Sequence, residues 1–171
     1  MARGLYGSLI VAKTELQDPA CDVKLVADDW RLSEEYKLQK DSFGSLMDWS
    51  HQWRLGNWLT LNGKTDPIIS VASGTLRLRI INAANARVLA FRIGADRPML
   101  LVALGGVSCD PFDLQTIRLA PAQRADIMVE MPAGELRLEE VSAGEPVGAA
   151  VLQTNDKAPA TASQTTGMGL V

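Results

Sequence analysis

Histidine is nearly missing from this 171-residue chain: there is one, His51. Zinc and copper centres draw on several His, Cys or carboxylate ligands, so a single imidazole cannot assemble one. A hydrogen-bonding residue in a loop is the plainer reading of His51. Cysteine is almost as scarce. Cys21 and Cys109 lie far apart and read as independent thiols, although export would allow them to pair. No apolar run approaches the roughly 20 residues needed to span a bilayer as a helix. The net charge is −3, with acidic and basic residues interspersed, which excludes a dedicated nucleic-acid or anionic-membrane surface.

Catalytic machinery is equally thin. There is no Gly-x-Ser-x-Gly elbow, and neither cysteine has a reactive context. Gly105-Gly106-Val107-Ser108-Cys109 follows a strand pattern without opening a helix, so a tight hairpin or bulge is expected rather than a phosphate loop. The adjacent carboxylates Asp28-Asp29, Glu34-Glu35 and Glu139-Glu140 read as solvated charges or turn formers. Neighbours on a strand point to opposite faces, so adjacency is no sign of an acid/base couple. Arg124 and Asp126, two apart on one strand face, are placed to pair or to cap loops.

What is present is strand patterning. In residues 75–82, Leu76, Leu78 and Ile80 alternate with Thr75, Arg77 and Arg79, which makes one face apolar and the other charged. Similar runs cover 88–93, 99–104, 115–119, 124–130 and 135–139. Turn signals separate them at 94–98, 105–106, Asp110-Pro111, Ala120-Pro121 and 132–134. Short strands about ten residues apart with no helix between them predict an antiparallel sandwich or barrel. Residues 99–104 are continuously apolar, as in a strand covered on both faces. Residues 59–64 read as a strand entering an Asn62-Gly63 turn.

Residues 28–60 have a different texture. A short helix or turn is expected around 42–50, with Asp41 or Ser42 as its N-cap. Trp49, Trp53 and Trp58 crowd this segment, and such crowding anchors a loop on a core more often than it lines a ligand site. The stretch 154–171, rich in Ala, Thr, Ser and Gly, has linker composition. The opening residues make a poor signal peptide: the apolar core is short, Gly7 and Ser8 interrupt it, and no small-x-small cleavage site follows.

Several segments resemble the multicopper oxidase family. Residues 3–11 (RGLYGSLIV) are similar to the strand that ends that family's first cupredoxin domain. Asp29-Trp30, residues 55–64 (LGNWLTLNGK), the strand 76–83 with 91–93, and Asp110-Pro111 are similar to its second domain. The most specific match is residues 119–129 (LAPAQRADIMV), with its Pro-x-x-Arg-x-Asp-hydrophobic pattern.

The resemblance implies an all-β, cupredoxin-like Greek-key sandwich. Residues 1–14 would be the terminal strand of a preceding domain, 15–153 the second domain, and 154–171 a linker toward a third. It implies a periplasmic or secreted parent enzyme that oxidises phenols or metal ions at copper and reduces oxygen to water. The His-rich copper motifs have no counterpart here, so no catalytic, cofactor or metal residue carries over and this chain is expected to be inactive alone. Its expected partners are the first and third cupredoxin domains, with self-association when they are absent. Trp49, Trp53, Trp58, Gly56 and Asn57 are the candidate interdomain contacts. The competing readings are a stand-alone β-sandwich that binds a ligand or protein, and an enzyme whose pocket the sequence does not reveal.

Overall fold

The computed structural model describes residues 6–11, 18, 20–39, 46, 54–94 and 97–154. Strands are β1 (Asp22–Trp30), β2 (Trp58–Leu61), β3 (Ile68–Val71), β4 (Gly74–Asn82), β5 (Leu89–Ile93) and β6 (Met99–Leu104). They continue as β7 (Val107–Leu114), β8 (Ile117–Leu119), β9 (Arg124–Met131), β10 (Glu135–Glu140) and β11 (Val147–Thr154). One sheet runs β2-β1-β4-β9-β6-β7 and the other β3-β11-β10-β5-β8. Two pairings, β1 with β4 and β11 with β3, are parallel, and the rest are antiparallel. The architecture is the expected cupredoxin-like β-sandwich.

Alternation builds the core. In β4, Leu76, Leu78 and Ile80 are buried, while Arg77, Arg79 and Ile81 stay partly exposed on the other face. They meet Phe91 and Ile93 of β5 and Leu138 of β10 in one apolar cluster. Each such side chain fully withdrawn from water contributes about 1.5–3 kcal/mol. On the outer face Arg79 grips Asp22 through two 2.6 Å contacts and reaches Asp126 at 3.2 Å, while Arg77 also binds Asp126. The bond to Asp22 raises the Arg79 pKa despite burial. Asp126 thus pairs across the sheet with β4 rather than with Arg124.

Both expected hairpin turns are present. Asn62 and Gly63 have φ of 50° and 75°, and Leu61 and Lys64 exchange backbone hydrogen bonds across them. Gly105 and Gly106, also at positive φ, join β6 to β7.

The structure corrects other expectations. Asp110-Pro111 is not a turn but part of the edge strand β7. Leu101 faces Phe112 and Ala103 faces Ser108, so Cys109, Asp110 and Pro111 bulge opposite Val102. An edge bulge is where a strand accepts a residue with no N–H to donate. β6 alternates between buried and half-buried positions and is therefore covered fully on one face only. Thr154 ends β11, opposite Val71, rather than opening a linker. Residues 6–11 belong to none of these strands and Leu9 and Val11 are exposed, so their place as the terminal strand of a preceding domain stays an expectation. Cys21 and Cys109, by contrast, are free thiols as the sequence reading expects. Apart from Leu46, the expected helix or turn at 42–50 lies outside the described residues, as does the stretch 155–171.

Candidate functional site: a buried charge cluster at one end of the sandwich

The carboxylates Asp28 and Asp29 are not solvated. At the end of β1 they are 2% and 1% exposed. Burying a charge is costly unless donors or counter-charges surround it, and the fold supplies both. Asp29 Oδ2 accepts the Gly56 N–H at 2.6 Å and the Arg87 Nε–H at 3.0 Å. Arg87 Nη2 donates to the Gly56 carbonyl, so one guanidinium ties the loop before β2 to the end of β1. Asp28 Oδ1 accepts the Asp29 N–H at 2.8 Å, and its Oδ2 accepts the Tyr6 hydroxyl at 2.7 Å. Glu140 is buried too, and its Oε1 accepts the amides of Ala90 and Ser142. The solvated reading therefore fails for Asp28, Asp29 and Glu140. Glu34 and Glu35 are exposed, as expected.

Burial raises the Asp28 pKa from its ordinary value, against the hydrogen bonds from Tyr6 and the Asp29 amide and the charge of Arg54, which favour ionisation. The Tyr6 phenol is pushed up by burial first and then by its bond to Asp28. Arg54 is 3% exposed and donates from Nη2 to the Asp29 carbonyl at 3.0 Å. Its Nε and Nη1, and Asp29 Oδ1, have no hydrogen-bond partner among the described residues.

Three of the predicted contact residues lie beside this cluster. Gly56 is buried, and a Cβ there would sit 2.6 Å from Trp30 N and 2.7 Å from the Asp29 carbonyl carbon, so only glycine fits. Asn57 forms a two-way bridge to Leu32: its Oδ1 accepts the Leu32 amide and its Nδ2 donates to the Leu32 carbonyl. Both residues therefore serve their own chain. Trp58 is half-buried, donates to Thr65 at 2.7 Å and meets Tyr36 edge-on at 5.2 Å. Trp49, Trp53 and His51 lie outside the described residues. Sequence reasoning missed Tyr6, Arg54 and Arg87. The one available signal was an Asp-Asp pair at the end of a Val23-Leu25-Ala27 alternation, which marks a strand running into the interior.

The cluster does not suit copper. Its carboxylate oxygens are largely committed to amide, phenol and guanidinium donors, and it brings a buried cation instead of the imidazole and thiolate that copper prefers. Among the described residues no group of three or more His, Cys, Asp or Glu is placed to hold a metal ion. The arrangement can lock chain segments together.

Comparison with known proteins matches this fold to a family. The family model described as "Multicopper oxidase" matches residues 22–136. Cell division protein FtsP of Edwardsiella tarda is 36% identical over 95 residues, covering 55% of this chain and 20% of that protein. FtsP of Glaesserella parasuis is 29% identical over 134 residues, covering 78% of this chain and 29% of that one. Among solved structures, a laccase-like multicopper oxidase CueO from Ochrobactrum sp. aligns with TM-score 0.68 and 27% identity, over 79% of this chain and 31% of that one. A multicopper oxidase from Pseudomonas parafulva aligns with TM-score 0.73 at 22% identity, over 93% and 39%. The chain thus spans a fifth to two fifths of the length of these relatives.

Proposed function

Because the chain belongs to the multicopper oxidase family, we propose that it is a copper-free central cupredoxin-like domain whose work is structural. It would sit between a first and a third cupredoxin domain of a periplasmic or secreted parent and fix their geometry. The observation that carries this reading is the ligand inventory: a family built on histidine-rich copper sites is represented here by 171 residues with one histidine. The buried Asp29–Arg87–Gly56 lock supports it, since such a lock stiffens the loop leading to Trp58. Trp58 is half-buried, with its indole on Thr65 and its ring against Tyr36, and Trp49 and Trp53 are its companions in sequence.

A domain that lacks its neighbours exposes the faces they would cover, which favours self-association. Sedimentation velocity over a range of concentrations tests this. The expected result is a concentration-dependent weight average that Trp58→Ala shifts toward monomer. A monomer at every concentration would remove the orphaned interface.

A second reading concerns the parent. The curated relatives at 36% identity carry the name cell division protein, which favours a role in division over oxidation of a small donor. Secretion of excess chain into the periplasm of a bacterium that uses FtsP separates the two. Filamentous cells are expected from the division reading, and normal cell length from the oxidase reading.

A further inference from the structure

A cleft of about 420 Å³ opens at the end of the sandwich that holds the charge cluster, lined by Leu55, Ala86, Arg87, Val88, Arg118, Ser142 and Ala143. Among the described residues two arginines line it and no carboxylate does, in a chain of net charge −3. They differ in what they already hold. Arg87 is fixed from behind, with Nε on Asp29 and Nη2 on the Gly56 carbonyl, and its charge is offset by Asp29. Arg118 is exposed on β8, between the buried Ile117 and Leu119, and no hydrogen bond or ion pair engages it among the described residues. Glu140 lies nearby, but its Oε1 is engaged by the Ala90 and Ser142 amides. The cleft therefore presents one guanidinium fork whose donors no described residue engages. Its flanks are Leu55 and Val88, which are 43% and 46% exposed.

We propose that this cleft docks an acidic side chain, Asp or Glu flanked by apolar residues, from a partner polypeptide. A planar guanidinium matches a carboxylate with two parallel hydrogen bonds. The apolar flanks would cover the partner's neighbouring side chains, a contact that a free inorganic anion cannot use. The inference rests on the charge and shape of the cleft and stands whether or not the chain serves as an interdomain module.

The test is an NMR titration of the whole chain, following the arginine Nε–Hε cross-peaks. The probes are acetyl-Leu-Glu-Leu-amide, its Gln counterpart and inorganic phosphate. The proposal expects a saturable shift of the Arg118 peak with the Glu peptide and binding about tenfold weaker with the Gln peptide, as loss of a charge-assisted pair implies. Arg118→Gln should weaken the Glu peptide by a similar factor without moving the urea midpoint, because the residue is exposed. Three results would overturn it: no saturable shift, equal binding of the Glu and Gln peptides, or an Arg118→Gln variant that binds as the parent does. Phosphate binding tighter than the Glu peptide would reassign the cleft to inorganic anions and overturn it equally.

Discussion

Two regions of this sandwich invert the usual distribution of polarity. At one end of β1, charged residues are buried: Asp28, Asp29 and Arg54 are all below 5% exposure. At the far edge of the same sheet, apolar residues are exposed: Val107 and Phe112 on β7 are 71% and 51% open. The buried end is held by specific partners, so its energy lies in geometry that one substitution can break. The β7 edge makes its ladder to β6 and little else, since seven of its eight residues are exposed. Damage there should cost the isolated fold almost nothing. The contrast separates residues that hold the domain together from residues left for something outside it.

The largest effect should come from Asp29→Ala. It removes the acceptor of Gly56 and Arg87 and leaves Arg87 without its counter-charge. Breaking such a pair costs about 3 kcal/mol when one partner is partly exposed, as Arg87 is. Urea unfolding reads this directly, and a loss well under 1 kcal/mol would mean that the lock is ornamental. Gly56→Ala should follow at about 2 kcal/mol, because its Cβ would meet backbone atoms of Trp30 and Asp29 that cannot rotate aside.

Tyr6→Phe deletes the hydroxyl that Asp28 accepts and should cost about 1 kcal/mol at neutral pH. The sign of its pH dependence follows from the raised phenol pKa. The folded state keeps the proton that an unfolded tyrosine releases near its ordinary value of 10.0. The native advantage over Tyr6→Phe is therefore full below about pH 10 and narrows as pH rises beyond it. Asp28 obeys the same sign at the acid end. Its raised pKa makes its contribution largest below the unfolded value of 3.8 and lets it fall as pH climbs through the higher folded value. Asp28→Asn, which keeps an acceptor for the Asp29 amide, should flatten that part of the stability profile. An unchanged profile would place the titration elsewhere.

Phe112→Ser should have the smallest effect, within about 0.5 kcal/mol, as expected for a surface site. A loss above 1 kcal/mol would show that β7 carries the fold and would collapse the contrast drawn above.

Most of the scaffold was legible because period-two alternation is a local signal. The strands around Leu76–Ile80, Ile127–Val129 and Leu136–Leu138 follow directly from it, and Asn62-Gly63 marks its turn through backbone chemistry alone. β7 was hidden because Pro111 signals a break, and only an edge position with a bulge makes it admissible. The charge cluster was hidden for another reason. Asp28-Asp29 looks like a surface pair until Arg87, 58 residues away from Asp29, and the Gly56 amide are brought against it. The remote partners that balance this desolvation leave no trace in a short window of sequence, where only the Asp-Asp pair closing the Val23-Leu25-Ala27 alternation hints at burial. Gly56 and Asn57 were singled out as interdomain contacts, and the structure shows each hydrogen-bonded to Asp29 or Leu32 of its own chain.

The central claim is that this family member carries no copper chemistry of its own. It is tested most directly by loading the purified chain with Cu(II), removing the excess, and measuring bound copper together with oxygen uptake on a phenolic donor. The account predicts clearly sub-stoichiometric copper and no uptake above that of the buffer. One or more tightly held copper ions per chain, with donor-dependent oxygen consumption, would contradict it.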